Sequence, residues 1–275
     1  METLSIEKLA DHQVPRGSIT LWWLGQTGFI VKSPGGKLVA IDPYLTNSCK
    51  AIGEELGFNL DRMVPPPLEP AEIVGVDLYA ITHSHGDHLD PETLAGYRGA
   101  GGAGPYLAPA ETVEKLRQLG VPAEEITMTW PNKVHTLGDV SLRATLAIPF
   151  AGDDLTHVGY LVGVDGGPSV YVTGDTGYHE VLAATVGPHK PDVLAAVING
   201  AFRNLSPAEA ARLARELDVR VAIPCHYDLF PDNCLPPQLF HTNLKIEGIG
   251  DRYHRLEHGV PFTYTLGTSP PLDSR

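Results

Sequence analysis

Three imidazoles and one carboxylate fall within six positions in His83-Ser84-His85-Gly86-Asp87-His88. Neutral imidazole nitrogens and carboxylate oxygens together suit zinc, manganese or iron(II). His83 and His85 stand two apart and can converge on one ion. Asp87 and His88 are adjacent, so their side chains diverge and more naturally serve a neighbouring ion. The cluster follows an apolar run, Val76-Asp77-Leu78-Tyr79-Ala80-Ile81, that reads as a buried strand. A loop leaving the carboxyl end of such a strand projects several donors into one cleft.

Four further strand edges carry matching residues. Asp175 lies in Gly174-Asp175-Thr176-Gly177, after the strand-like run 169–173. His226 lies in Pro224-Cys225-His226-Tyr227, after the run 219–223. His157 precedes the run 158–162, and Asp42 ends the run 38–41. Taken singly, an Asp after a strand is a turn or cap residue and a lone His is a packed one. Five such edges presenting His or Asp at one rim point to a metal centre.

In order, Asp42, His83-x-His85-x-Asp87-His88, His157, Asp175 and His226 resemble the five-motif pattern of the metallo-β-lactamase superfamily over nearly the whole chain. A closer likeness is to the L-ascorbate-6-phosphate lactonase branch. It rests on Trp22-Trp23-Leu24-Gly25-Gln26-Thr27-Gly28-Phe29, on Gly174-Asp175-Thr176 and on Ile223-Pro224-Cys225-His226-Tyr227-Asp228. The resemblance implies an αβ/βα four-layer sandwich; strand and helix patterning alone says only α/β. It also implies a division of ligands. His83, His85 and His157 would hold one divalent ion, Asp87, His88 and His226 a second, and Asp175 would bridge them. Asp42 would stand behind, orienting a ligand or a loop amide. His157 marks a departure, since the lactonases lack a histidine there, and it favours the generic two-ion site over the narrow lactonase reading.

Two divalent ions roughly 3.5–4 Å apart can share a hydroxide that attacks a carbonyl carbon or a phosphorus. Asp87 or Asp175 would orient that nucleophile and carry its proton. The implied substrate is a lactone or related ester, with a phosphorylated sugar acid as the narrow form. The alternative is a phosphodiester of a small nucleotide or phospholipid type. The lactonase likeness suggests manganese and the wider superfamily zinc, and it also implies assembly into homo-oligomers. Arg62 is a candidate clamp for a phosphate or carboxylate. Asn199 and Arg203 lie on the same expected rim, and Tyr178, His179 and Tyr227 adjoin ligand motifs as candidate pocket walls.

The balance of 20 basic against 33 acidic residues gives a formal net charge of -13. Such acidity argues against nucleic acid or an anionic membrane as a main partner and leaves a small, anionic substrate open. The three cysteines, Cys49, Cys225 and Cys234, form no CxxC pair, and Cys225 reads as a small buried neighbour of the site. The amino terminus has no signal-like apolar core, and no run approaches the roughly 20 apolar residues of a membrane span. A cytoplasmic location is expected. No repeat or clear linker interrupts residues 1–275, which read as one domain.

The elements that must position these residues are strands in the first third, with a turn at Ser33-Pro34-Gly35-Gly36. The stretch 45–70 reads as an irregular loop over the cleft. Helices are predicted after the Asp90-Pro91 cap, over 110–119, from the Ser206-Pro207-Ala208-Glu209 capping box to about Leu217, and over 238–246.

Overall fold

Alternation along each strand decides which face a side chain takes, and here it separates two apolar layers. The computed structural model describes residues 4–149 and 154–268. The first half contains α1 (Ile6–Asp11), β1 (Ser18–Gly25), β2 (Gly28–Lys32), β3 (Leu38–Ile41) and α2 (Cys49–Leu56). It continues with β4 (Leu78–Ala80), α3 (Pro91–Gly99), β5 (Tyr106–Ala108), α4 (Ala110–Gln118) and β6 (Ile126–Met128). The second half contains β7 (Val134–Leu137), β8 (Val140–Leu146), β9 (Val158–Val164), β10 (Ser169–Val172), α5 (Glu180–Val186) and β11 (Val193–Val197). It ends with α6 (Pro207–Glu216), β12 (Val221–Cys225), α7 (Pro237–Ile246) and β13 (Pro261–Thr265).

One sheet runs β13-β1-β2-β3-β4-β5-β6 and the other β12-β11-β10-β9-β8-β7. Ile19, Leu21, Trp23, Phe29, Val31, Val39 and Ile41 on the first sheet share a buried cluster with Val158, Val162, Val170, Val172 and Leu194 on the second. Their intervening neighbours Trp22, Leu24, Ile30, Ala40 and Tyr79 turn the other way, onto Leu9 of α1, Leu94 and Tyr97 of α3, and Val113 and Leu116 of α4. Leu182 of α5, Leu213 of α6 and Phe240 and Leu244 of α7 pack with the second sheet. The order is helices, sheet, sheet, helices, as the αβ/βα sandwich requires.

The predicted caps form. Asp90 accepts from the Glu92 amide at 3.0 Å with Pro91 in the first turn. Ser206 and Glu209 make both bonds of the capping box. The stretch 45–70 departs from expectation, because α2 occupies part of it. Only Cys49 and Gly53 of that helix are buried, and such small residues leave no apolar stripe to read. Asp90, the cap of α3 just after the loop 83–88, holds this stretch by accepting hydroxyl bonds from Thr46 at 2.7 Å and Ser48 at 2.8 Å. No described helix is long and apolar enough to cross a membrane.

Candidate metal centre

All the candidate ligands gather at one edge of the sandwich, because the strand directions bring them there. β3 and β4 are parallel, so Asp42 and the loop 83–88 leave the same end. β10, β11 and β12 are parallel to one another, which puts Asp175 and His226 at a common end. β9 runs antiparallel to β10, so His157 at its start meets the end of β10. Gln26 (φ 47), Asp42 (φ 42) and His226 (φ 58) hold left-handed backbone at this edge without being glycine. Each such residue costs about 1–2 kcal/mol, which surrounding bonds must offset. The Asp42 amide donates to the Ala80 carbonyl at 3.0 Å, and the His226 amide to the Gln26 carbonyl at 2.9 Å.

Three overlapping groups of donor atoms result, each within 4.8 Å: His83, His85 and His157; His83, His88 and Asp175; and Asp87, His88 and His226. His83 Nε2 and His85 Nδ1 lie 2.9 Å apart. Asp175 Oδ1 lies 3.4 Å from both His88 Nε2 and His226 Nε2, and Asp87 Oδ2 lies 3.3 Å from His226 Nε2. Two atoms bound to one ion at about 2.1 Å are separated by about 3.0 Å on an octahedral edge and about 3.4 Å on a tetrahedral one. The 2.9, 3.3 and 3.4 Å separations lie near these edges, so the donor set suits divalent ions. Burial makes the same point: His88 Nε2, His157 Nε2 and Asp175 Oδ1 are buried with no hydrogen-bond partner. Buried polar atoms of this kind need a partner, and a cation is the one that suits imidazole nitrogen and carboxylate oxygen alike.

Electrostatics agree. Burial, helped by the neighbouring His88 and His157, holds the His83 imidazole well below its ordinary pKa, and burial lowers His157 too. Both stay neutral, the form a metal ligand requires. For Asp87 and Asp175 burial alone would raise the pKa, but the rings of His88 and His226 pull both carboxyls below the usual range. Burial opposes charge on His88 and His226, yet the surrounding carboxylates raise both. Protons and ions thus compete for the same nitrogens.

Behind the donors stands a layer of hydrogen bonds. His88 Nδ1 lies 2.7 Å from Asp42 Oδ2, and the Thr82 amide donates to Asp42 Oδ1 at 2.7 Å. Asp42 is fully buried, and burial raises its pKa against these bonds. Three positioning residues were not apparent in the sequence. Gln26 Nε2 donates to Asp87 Oδ2 at 2.8 Å. Asn204 Nδ2 donates to Asp175 Oδ2 at 2.8 Å. Asp154 accepts from the Ser84 amide at 2.8 Å and lies 4.0 Å from His157 Nε2. Gln26 alone carried a signal, as part of the Trp22-to-Phe29 motif. Cys225 is buried and belongs to none of the donor groups.

Residues 39–227 match the model of the beta-lactamase superfamily domain. The chain belongs to that superfamily. It is 31% identical over 239 residues to a UPF0173 metal-dependent hydrolase of Myxococcus xanthus, spanning 82% of this chain and 77% of the relative. It is 26% identical over 299 residues to a probable L-ascorbate-6-phosphate lactonase of Salmonella paratyphi B, spanning 95% of this chain and 83% of the relative. Its fold is that of a metallo hydrolase from Ignicoccus hospitalis, with a TM-score of 0.70, 22% identity and coverage of 90% and 99% of the two chains. The protein is a metal-dependent hydrolase of the metallo-β-lactamase superfamily, and the cluster above is its candidate metal centre.

The substrate candidates of this hydrolase fare differently from its ligands. Arg62, expected as an anion clamp, is committed elsewhere. Its Nε donates to the Val64 carbonyl at 2.6 Å, Nη1 to those of Tyr44 at 2.8 Å and Thr46 at 3.3 Å, and Nη2 to that of Leu24 at 3.3 Å. Four of the five N–H groups a guanidinium offers are spent bracing backbone. The cleft of about 430 Å³ that Arg62 lines contains none of the candidate ligands. Tyr178 also turns away, donating to Glu216 at 2.9 Å beneath the Arg212 guanidinium. His179 caps α5, accepting from the Val181 amide at 3.1 Å. Tyr227 is fully buried and stacks on Trp23 at 4.9 Å, so it supports the His226 loop from behind. Asn199 donates to Asn233 at 2.7 Å and ties two rim loops together, while Arg203 is exposed beside Asn204.

His258 completes the stack, 4.1 Å from Trp23 on its other side. Burial, with help from Arg62 and Arg255, pushes its pKa down to about 4. The unfolded chain then binds the extra proton between about pH 6.5 and pH 4, so stability rises with pH across that window. Below about pH 4 this costs the folded state about 3 kcal/mol, a penalty that vanishes above about pH 6.5. The expected outcome is that His258→Gln flattens the acid side of a denaturant-stability profile; an unchanged slope would refute it.

Proposed function

We propose that this superfamily member opens a lactone or a related carboxylic ester of a small molecule, with two divalent ions as cofactor. The observation that carries the reading is the complete donor set: five imidazoles and two carboxylates in overlapping groups, with His88 Nε2, His157 Nε2 and Asp175 Oδ1 buried and unpartnered. A probable lactonase among the relatives, alike over 95% of this chain, supports the reaction type. The donor chemistry accommodates zinc, manganese or iron(II). Such ions supply Lewis acidity and lower the pKa of bound water towards neutrality. The chain's own residues do the rest. His83 and His157 are held neutral by burial and so keep lone pairs available. Asn204 holds Asp175 by Oδ2, which leaves Oδ1 facing the donors. Asp87, kept ionised by His88 and His226, is the group placed to accept a proton from the attacking water. The phosphorylated-substrate version loses support because the Arg62 donors are engaged.

The test is proton release in a pH-stat by manganese- or zinc-loaded protein. A neutral lactone, a sugar-phosphate lactone and bis(p-nitrophenyl) phosphate are compared. Chelator-sensitive opening of the neutral lactone is expected. Cleavage of the phosphodiester with both lactones inert would replace the reading with a phosphodiesterase.

A further inference from the structure

Three exposed apolar side chains, Ile52, Phe58 and Phe202, stand near the loop 83–88 among polar neighbours such as Lys50, Asn59 and Asp61. α2 lies against the metal loop: a Cβ on Gly86, between His85 and Asp87, would stand 2.9 Å from Ile52 Cδ1. Past the helix, Gly57 (φ 78) turns the chain and the Phe58 amide closes on the Gly53 carbonyl at 2.8 Å. An apolar residue at this position ordinarily packs back on its own helix. Phe58 instead meets Phe202 edge-on at 5.7 Å and 73°. Phe202 comes from the other half of the chain, two residues before the Asn204 that holds Asp175. The two rings thus join the segment packed on Gly86 to the loop whose Asn204 holds Asp175.

Neither ring is there by slack. Phe202 (φ 51) and Arg203 (φ 60) are consecutive non-glycine residues in left-handed backbone. Strain of this sort persists only where surroundings enforce it, and it concentrates at functional sites. Here the Asn204 amide donates to the Ala201 carbonyl and the Leu205 amide to the Thr176 carbonyl, both at 2.9 Å. On the opposite loop, the Asn59 amide donates to Asp232 at 2.6 Å and the Met63 amide to the Leu229 carbonyl at 2.9 Å. Yet Ile52 keeps 41% of its surface exposed, Phe58 41% and Phe202 44%. Lys50 on the same helix is paired with Asp61 at 2.8 Å. Fixed backbones that hold apolar side chains open to solvent form a preorganised wall, which binds without an ordering cost.

We infer that Ile52, Phe58 and Phe202 select substrates whose non-reacting part is an alkyl chain or aromatic ring, rather than a polyhydroxy phosphate. The inference rests on the hydrolase reading for its reaction, but the wall can be tested without turnover. Acetohydroxamic, hexanohydroxamic and benzohydroxamic acids share one metal-chelating head and differ in their tails. Calorimetry on the zinc-loaded full chain gives their Kd values. A buried methylene is worth about four-fold in affinity, so half-burying four of them should tighten hexanohydroxamate about fifteen-fold over acetohydroxamate. Benzohydroxamate should gain similarly. Phe58→Ala, which leaves the strained turn intact, and Phe202→Ala should each erase most of that preference while keeping the acetohydroxamate Kd. Equal affinity for the three acids, or no binding of any, overturns the inference. So does an unchanged preference in both variants. A shift in oligomeric state by light scattering, with the preference retained, would assign the wall to a second copy of the chain instead. Lactone opening is followed separately: tail preference without turnover removes the reaction and keeps the wall, and turnover without preference does the reverse.

Discussion

Replacing Asp175 with alanine is expected to empty both ion positions and to lower kcat/KM by more than the 10- to 100-fold typical of losing an outer partner. Its Oδ1 is 3.4 Å from His88 Nε2 and from His226 Nε2, and it also falls in a donor group with His83. Among the described residues, Asp87 also adjoins His88 and His226, but only Asp175 shares a donor group with His83 as well. Without it, buried imidazoles face one another with one fewer anion between them. Elemental analysis of the purified variant, read beside lactone turnover, decides the matter. A variant with wild-type metal content and activity would remove the bridging role. The fold should survive, because the interior layers between and outside the sheets are apolar and independent of the loops. His88→Ala should behave alike for the second ion.

Gln26→Met should deplete the second ion and spare the first. The Gln26 amide nitrogen lies 3.4 Å from Nδ1 and 3.3 Å from Nε2 of His226. Near-equal distances put it over the ring rather than in line with either lone pair, so its directed bond is the one to Asp87. One donor therefore braces two ligands of one ion, while the main-chain carbonyl of Gln26 holds the Trp23 indole at 2.9 Å. Methionine keeps the bulk and the main-chain bonds and removes the donor. Affinity for the second ion is expected to fall about 10- to 100-fold, with the His83, His85 and His157 position within roughly two-fold of wild type. A competing chromophoric chelator resolves the two constants. Gln26→Glu distinguishes brace from ligand: a carboxylate cannot donate to Asp87, so the second ion should again weaken. Tighter binding in that variant would make residue 26 a direct oxygen donor.

The candidate ligands that the fold brings together could be picked out in the sequence because their chemistry lies in their type. A run such as His83-x-His85-x-Asp87-His88 has few uses other than metal, and strand-like runs before Asp175 and His226 locate them at edges. Caps were equally visible, since Asp90-Pro91 and Ser206 to Glu209 act within one turn. What stayed hidden depends on partners far along the chain. Gln26 and Asp87 are 61 positions apart, and Asn204 and Asp175 are 29 apart. Arg62 looked like an anion clamp because its acceptors are main-chain carbonyls, which every residue type possesses. β13 pairs Thr265 with Ser18 across the whole length of the chain, and no local pattern announces that. α2 escaped because its buried face is made of Cys49 and Gly53.

The ligand set draws on both halves: His83, His85, Asp87 and His88 hang from the first sheet, and His157, Asp175 and His226 from the second. An ion held by these candidate ligands would act as a removable rivet between the sheets. At one hundred times its dissociation constant such a ligand adds about 2.7 kcal/mol to the native state. Parting the sheets at this edge would first require the ion to leave, so its supply would govern how long a molecule lasts against heat and proteases. Selection for a longer-lived molecule could therefore hold the ligands in place even in a descendant whose catalysis had been lost.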